Sequence, residues 1–365
     1  MKVLISGGGT GGHIFPSLAI AEEITARDPE NEVLFVGTRR GLESRLIPEA
    51  GYRFEAVSGA GVSGGGLFRL VSGAFLAALG VLKSLFIVAK FRPDVAVGMG
   101  GYASFPAVFA ARVMGVPVAI CEQNSVSGLA NRLLGKIARR VFLAFPRRGE
   151  QQFPAGKIRL VGNPVRREIV NAALKSAERK RPSPPQSVTI FVLGGSQGAG
   201  SLNRLVPPAV AELKNSGQIP VRVIHQTGKR DAPEVARAYE SAAIEAEVFD
   251  FSPDVARCYS EADLVVSRAG AGAVAEIALF SLPSVLVPYP FAARRHQHAN
   301  AQMMEEAGAA VVIDEKEISE KAVAKTLQTL LNWNTLGGMS RAAAAVAAPD
   351  AAKRISDEIE ILAGG

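Results

Sequence analysis

His13 is a titratable side chain set where a glycine-rich loop meets a helix. Met1–Ser6 reads as a short buried strand, Gly7-Gly-Gly-Thr-Gly-Gly12 follows, and Ile14-Phe-Pro16 comes after the histidine. Strand, glycine turn and helix start form a geometry that cradles phosphate, because backbone N–H groups and the helix dipole converge on one spot. Pro16 suits the first turn of that helix, where a missing N–H does no harm. The loop satisfies G-x-G-x-x-G, which alone is a weak signal. A dinucleotide site also wants an acidic residue about twenty positions on. The second strand instead ends Val36-Gly-Thr-Arg39-Arg40. Those arginines could take the 2′-phosphate of NADP, and a glycine turn that only permits close packing is the plainer alternative.

Two more segments have the same character. Gly194-Gly-Ser-Gln-Gly198 lies between a strand and a helix, and Ser196 can donate to a phosphate. Ser267-Arg-Ala-Gly-Ala-Gly-Ala-Val-Ala-Glu276 also follows a strand. Its small residues leave room for a ligand, and Glu276 sits one or two turns inside the next helix, where a carboxylate could chelate two ribose hydroxyls. Arg166, in Gly162-Asn-Pro-Val-Arg166, could reach a diphosphate or be a surface arginine beside a proline turn. Met99-Gly-Gly-Tyr102 and Glu122-Gln-Asn-Ser125 each follow an apolar strand, where ligands collect in parallel sheets. The chain has no Asp-x-Asp triplet and no Cys/His cluster with metal spacing, so no divalent metal or other cofactor is expected.

The elements that must carry these loops alternate in a βαβ rhythm. Strands are expected at Val33–Val36, Phe54–Val57, Val95–Val97, Pro117–Ile120 and Val141–Ala144, with helical stretches at Ser17–Ala26, Leu67–Lys90 and Ser104–Met114. The rhythm pauses near Gly162-Asn-Pro164, and the polar stretch Lys175–Gln186 reads as a connection. It restarts with strands at Val188–Leu193, Val221–His225, Val248–Phe251, Leu264–Ser267 and Ser284–Val287, with a helix beginning near Asn203. The result is an α/β chain of two Rossmann-like units with parallel sheets. A chain of 365 residues agrees with more than one domain.

Charge is uneven. Residues 1–163 hold 19 Lys and Arg against 11 Asp and Glu, a net of +8, and the remainder nets −1. That points to an anionic partner for the first half: a membrane surface, a phosphate-bearing substrate or nucleic acid. Two cysteines, Cys121 and Cys258, suggest a reducing compartment. No signal peptide is expected, and the most apolar stretch, Ala74 to Phe91, is broken by Lys83 and Lys90, so no membrane span is expected. With its cationic flanks, Leu67–Lys90 could lie in an anionic membrane interface, or be a buried crossover helix, or do both with one face each.

Taken in order, the opening Gly-Gly-Thr-Gly-Gly-His13, Gly98-Met-Gly-Gly-Tyr102, Glu122-Gln-Asn124, Gly162-Asn-Pro-Val-Arg166, Gly194-Gly-Ser-Gln-Gly198, Arg268 to Glu276, and Gln297 to Asn300 resemble the MurG-type N-acetylglucosaminyltransferases of bacterial peptidoglycan synthesis. The resemblance runs over the whole chain. It implies the GT-B fold, two Rossmann-like domains facing a cleft: an acceptor- and membrane-binding domain, 1–163, joined by a C-terminal helix at about 345–365, and a UDP-GlcNAc-binding domain, 164–344. It implies transfer of GlcNAc from UDP-GlcNAc to the C4 hydroxyl of undecaprenyl-pyrophosphoryl-MurNAc-pentapeptide, with inversion, at the cytoplasmic face of the bacterial inner membrane, with no nucleic acid partner. By position it puts Thr10, Gly11 and Gly12 near the donor, Tyr102 by the acceptor pocket, Asn124 on the sugar, and Arg166 and Ser196 on the diphosphate. Ala271, Gly272, Ala273, Val274, Ala275 and Glu276 surround the nucleoside, with Glu276 on the ribose. Gln297 reaches the GlcNAc hydroxyls and Ser252 meets uracil through its backbone. Cys121 stands where relatives often have His.

An inverting transfer needs a base for the attacking hydroxyl and stabilisation for departing UDP. His13 is the first candidate base and Glu122 the second. Without a metal, helix N-termini, backbone N–H groups and Arg166 must stabilise the leaving diphosphate. Two other readings use parts of the same pattern. A UDP-GlcNAc 2-epimerase shares fold and donor but needs no membrane-facing helix. An NADP oxidoreductase leaves the second loop and Glu276 without a role.

Overall fold

The computed structural model describes residues 1–364 except 59–66, 147–152, 179–186, 196–197, 216, 218–219 and 253, together with the backbone but not the side chains of 67–75, 77 and 293. Contacts divide the chain into two compact units, Met1–Arg167 with Pro349–Gly365, and Glu168–Ala348.

The first unit runs β1 (Lys2–Ser6), α1 (Gly11–Arg27), β2 (Glu32–Gly37), α2 (Glu43–Glu49), β3 (Arg53–Ala56), α3 (Leu67–Phe91), β4 (Val95–Gly98), α4 (Ser104–Val113), β5 (Val118–Glu122), α5 (Leu129–Ile137), β6 (Arg140–Leu143) and β7 (Ile158–Leu160). The second runs α6 (Arg167–Glu178), β8 (Val188–Leu193), α7 (Gly200–Asn215), β9 (Val221–Gln226), α8 (Ala232–Ser241), β10 (Glu245–Phe249), α9 (Val255–Glu261), β11 (Leu264–Ser267), α10 (Ala271–Leu279), β12 (Ser284–Leu286), α11 (His296–Glu306), β13 (Ala310–Val312), α12 (Glu320–Leu330) and α13 (Trp333–Ala345). The last helix, α14 (Ala351–Gly364), belongs to the first unit.

Both sheets are parallel. Their orders are β3-β2-β1-β4-β5-β6-β7 and β10-β9-β8-β11-β12-β13. In each, strand order reverses between two neighbours, β1 and β4 or β8 and β11. Ligands of doubly wound sheets bind outside the carboxyl ends at that point. The glycine-rich segments after β1, β4, β8 and β11 all lie there.

In the first unit alternate side chains feed two cores. Val3, Ile5, Val97 and Cys121 pack with Ile14 and Leu18 of α1 and Ile355 and Ile359 of α14. Leu4, Ala96 and Ile120 pack with Ile87 of α3, Val108 of α4 and Leu134 of α5. Strands covered on both faces are apolar throughout, which is why they stand out in the sequence. The same burial places Cys121 in the core and pushes its thiol pKa up.

Some boundaries differ from expectation. α1 starts at Gly11, after an extended Thr10 (φ −136°, ψ 158°), rather than near Ser17. Gly11, Gly12 and His13 are therefore its first turn, and Pro16 lies inside the helix, where its ring withholds the donor that the Gly12 carbonyl would receive. α6 extends through Lys175–Glu178, the start of the expected connection, whose remainder from 179 lies outside the described residues. β10 begins at Glu245, ahead of the expected Val248. The three-residue edge strands β7 and β13 are additional.

α3 has two apolar faces. Ser84, Ile87, Val88 and Phe91 are buried, while Leu79, Leu82 and Phe86 are exposed, the last two by 65% and 70%. On the adjoining α4, Phe105 and Phe109 stack at 5.5 Å and Val113 is exposed. Lys83 and Lys90 of α3, Arg92 just after it and Arg112 of α4 are exposed. No helix of the described residues is long and apolar enough to cross a membrane.

Candidate active site

In the first unit, the loops after β1, β4 and β5 bring His13, Gly100, Glu122 and Asn131 together. The Thr10 hydroxyl lies 3.4 Å from His13 Nδ1. His13 Nε2 and the Asn131 amide nitrogen overhang Gly100, where a Cβ would stand 3.1 and 3.2 Å from them. Gly100 has a φ of +90°, so the turn itself favours glycine. Asn131 donates to the Cys121 carbonyl at 2.9 Å and to Glu122 Oε2 at 3.0 Å.

Glu122 is buried, and its carboxylate is well occupied. It accepts from the Asn124 N–H at 3.1 Å, the Gly128 N–H at 3.1 Å and Asn131. These bonds hold the 123–128 loop and make the carboxylate a fixed acceptor. His13 is only half-buried, on an exposed helix end beside exposed Thr10, Gly12 and Tyr102. Of the two candidate bases, His13 is the more exposed. Asn124 is partly exposed on the same loop. The Arg166 guanidinium lies 4.9 Å over the ring of Phe15, on α1 with His13.

In the second unit, α10 begins at Ala271 after an extended Gly270. A helix start of this kind presents N–H groups and a positive dipole end on the side where an anion can sit. Gly272, Ala273, Ala275 and Glu276 are partly exposed, and Val274 faces the core. Ahead of α10, Arg268 grips Glu315 through both guanidinium nitrogens, at 2.5 and 3.1 Å, and also donates to the Val287 carbonyl and Ser201 hydroxyl. Burial pushes the Glu315 pKa up, and the bond to Arg268 overrides it, leaving it below the usual value. Gln297 accepts from the Tyr289 N–H at 2.9 Å, and Asn300 donates to the Ala269 carbonyl at 3.1 Å.

Ser252 is buried, and its N–H donates to Gln226 Oε1 at 3.1 Å. Gln226 also donates to the Gly195 carbonyl at 3.3 Å, so one buried amide ties the loops after β8 and β10. Gly198 (φ +75°) passes so close to the Thr227 carbonyl that a Cβ would collide with it. Ser196 lies outside the described residues. Gln226 and Asn131 escaped the sequence reading because each acts only through loops brought to it by the fold. Among the described residues no group of three or more His, Cys, Asp or Glu is placed to hold a metal ion.

Residues 3–143 match the glycosyltransferase family 28 N-terminal domain and residues 189–355 the family 28 C-terminal domain. A relative from Myxococcus xanthus is 42% identical over 361 residues, covering 98% of this chain and 92% of that protein. It is named UDP-N-acetylglucosamine--N-acetylmuramyl-(pentapeptide) pyrophosphoryl-undecaprenol N-acetylglucosamine transferase. The chain is a MurG-type member of glycosyltransferase family 28. The crystal structure of Acinetobacter baumannii MurG agrees with it at a TM-score of 0.81 and 29% identity, covering 98% of this chain and 99% of that one. The family's GT-B architecture of two Rossmann-like domains is thus present here. A UDP-GlcNAc 2-epimerase from Neisseria meningitidis, solved with UDP-GlcNAc, shares the fold at a TM-score of 0.65 and 13% identity, covering 98% of this chain and 99% of that one.

Proposed function

We propose that this family 28 enzyme moves GlcNAc from UDP-GlcNAc to the C4 hydroxyl of undecaprenyl-pyrophosphoryl-MurNAc-pentapeptide, with inversion at the anomeric carbon. The observation that carries the reading is 42% identity, over 98% of the chain, to a relative named for this transfer. The likeness to the epimerase, at 13% identity, is one of fold, and the NADP reading leaves the second glycine loop and Glu276 without a role.

His13 takes the proton of the C4 hydroxyl as that oxygen bonds to the sugar's anomeric carbon. The bond from that carbon to the UDP oxygen breaks, and UDP leaves with the electron pair. The N–H groups at the start of α10, Ser196 and the Arg166 guanidinium stabilise the charge on the diphosphate. Glu276 takes the ribose hydroxyls, residues 271–275 line the nucleoside, and Ser252 meets uracil through its backbone. Gln297 and Asn124 hold the GlcNAc hydroxyls. Thr10, Gly11 and Gly12 border the reacting sugar and Tyr102 the acceptor. Glu122 supports the cluster by holding Asn131 and the 123–128 loop. No metal or other cofactor takes part. The exposed apolar residues of α3 and α4, with the exposed cations Lys83, Lys90, Arg92 and Arg112 on or beside the same helices, seat the enzyme on the anionic cytoplasmic leaflet where the lipid acceptor lies.

Radiolabelled UDP-GlcNAc, a short-chain lipid-linked MurNAc-pentapeptide and EDTA test this together. Label in the lipid product is expected. Release of free UDP or an epimerised sugar without lipid product would overturn the reading.

A further inference from the structure

The loop that opens the chain is built around a carboxylate from another element. Glu43, at the start of α2, is 2% exposed. Its Oε2 accepts the Gly9 N–H at 2.9 Å. Its Oε1 accepts the Thr38 N–H at 3.0 Å and the Thr38 hydroxyl at 2.8 Å. Three glycines wall the carboxylate in: a Cβ on Gly8, Gly37 or Gly41 would run into the Glu43 side chain. Burial pushes its pKa up, but the N–H groups of Gly9, Thr38 and Glu43 itself, with the Thr38 hydroxyl, together more than offset that and leave it below the usual value.

We infer that Glu43 is a positioning residue for the transfer reaction. Its carboxylate fixes the Gly8–Thr10 turn and thereby the α1 start that carries His13. Gly9 has a φ of +96°, a conformation that no side chain enforces from within the loop. Thr10 makes no side-chain cap to α1. The turn therefore takes its shape from outside, through the bond to Glu43. That bond also fills the Gly9 N–H with an internal anion. A substrate anion at this loop must use the N–H groups further on, at the helix start, beside His13. A chain-borne carboxylate thus sets where along the loop a ligand can sit.

The inference rests on the transferase reading for its catalytic consequence but not for its structural one, so two readouts are taken. The Glu43→Gln variant keeps size but turns an NH₂ group toward one of the donors. Hydrogen exchange over residues 7–13 is expected to quicken, while that of β4 and β5 is unchanged. Its kcat for GlcNAc transfer is expected to fall about tenfold to a hundredfold, the scale of a hydrogen bond to a charged group. KM for UDP-GlcNAc should stay within about twofold, because the donor contacts proposed for the second unit are untouched. The Thr38→Val variant guards against misfolding. It removes one donor but keeps the carboxylate on both N–H groups, and should show the same two effects at smaller size. Unchanged exchange in Glu43→Gln overturns the clamp. Quickened exchange with unchanged kcat overturns the positioning role. Absence of transfer in the wild type counts against the proposed reaction, and the exchange result still decides the clamp.

Discussion

His225 is a histidine committed to structure, in contrast to His13, the proposed base. His225 is fully buried at the end of β9. Its Nδ1 lies 3.0 Å from the Tyr239 hydroxyl and its Nε2 3.1 Å from Asn203 Oδ1. Asn203 in turn donates to the Thr227 carbonyl and to Asp231. The network joins α7, α8 and the loop after β9. Burial pushes the His225 pKa down from 6.5 to about 3. The unfolded ring takes a proton below its ordinary value, and the folded one only near 3. Between those values the unfolded state holds more protons, so stability falls as pH drops through this window and is unaffected by this residue above it. The His225→Gln variant, which does not titrate, is expected to be less stable at neutral pH but to lose less of its melting temperature on acidification to about pH 4. Parallel melting curves for the two proteins across that range would refute this.

At the scale of elements, α3 carries more apolar surface than its core contact uses. Ile87, Val88 and Phe91 face the sheet, and Leu82 and Phe86 face outward. The Leu82→Glu/Phe86→Glu variant should therefore melt like the wild type. Its binding to anionic vesicles should weaken about tenfold or more, since each residue would otherwise bury ~1.5–3 kcal/mol of apolar surface. Turnover of a water-soluble acceptor should be unchanged. Vesicle sedimentation at two salt concentrations checks this, and unaltered binding would contradict a membrane role for this face. That double character was legible in the sequence, because the apolar residues exceed one stripe. The long parallel strands and their glycine loops were legible for a related reason: strands buried on both faces read as unbroken apolar runs. The short strands β7 and β13 leave too little pattern to see. The true start of α1 was hidden because Gly11 and Gly12 are poor helix formers, and the extended Thr10 sets the boundary. Glu43, Gln226 and Asn131 were invisible in kind. Each is an ordinary polar residue until the fold closes a loop over it.

For the molecule as a whole, the last helix is what completes the first unit. α14 lies against α1, with Ile355, Ile359 and Leu362 in the core. Its charges meet arginines from distant parts of that unit. Glu358 takes Arg140 at 2.7 Å and Arg159 at 2.8 Å, and Asp357 and Glu360 take Arg27 at 2.7 and 3.1 Å. These pairs are partly exposed, so the apolar contact is the larger contribution and the ion pairs set the register. The Ile359→Ala variant should destabilise the first unit by about 2–4 kcal/mol in urea unfolding. A change below about half a kcal/mol would mean that α14 is dispensable to that core.

Steady-state transfer by the His13→Ala variant tests the chemical reading as a whole. The expected result is a fall in kcat of about a hundredfold to ten-thousandfold, with KM for UDP-GlcNAc nearly unchanged, as for loss of a general base. A variant that turns over like the wild type would contradict it and move the base elsewhere in the site.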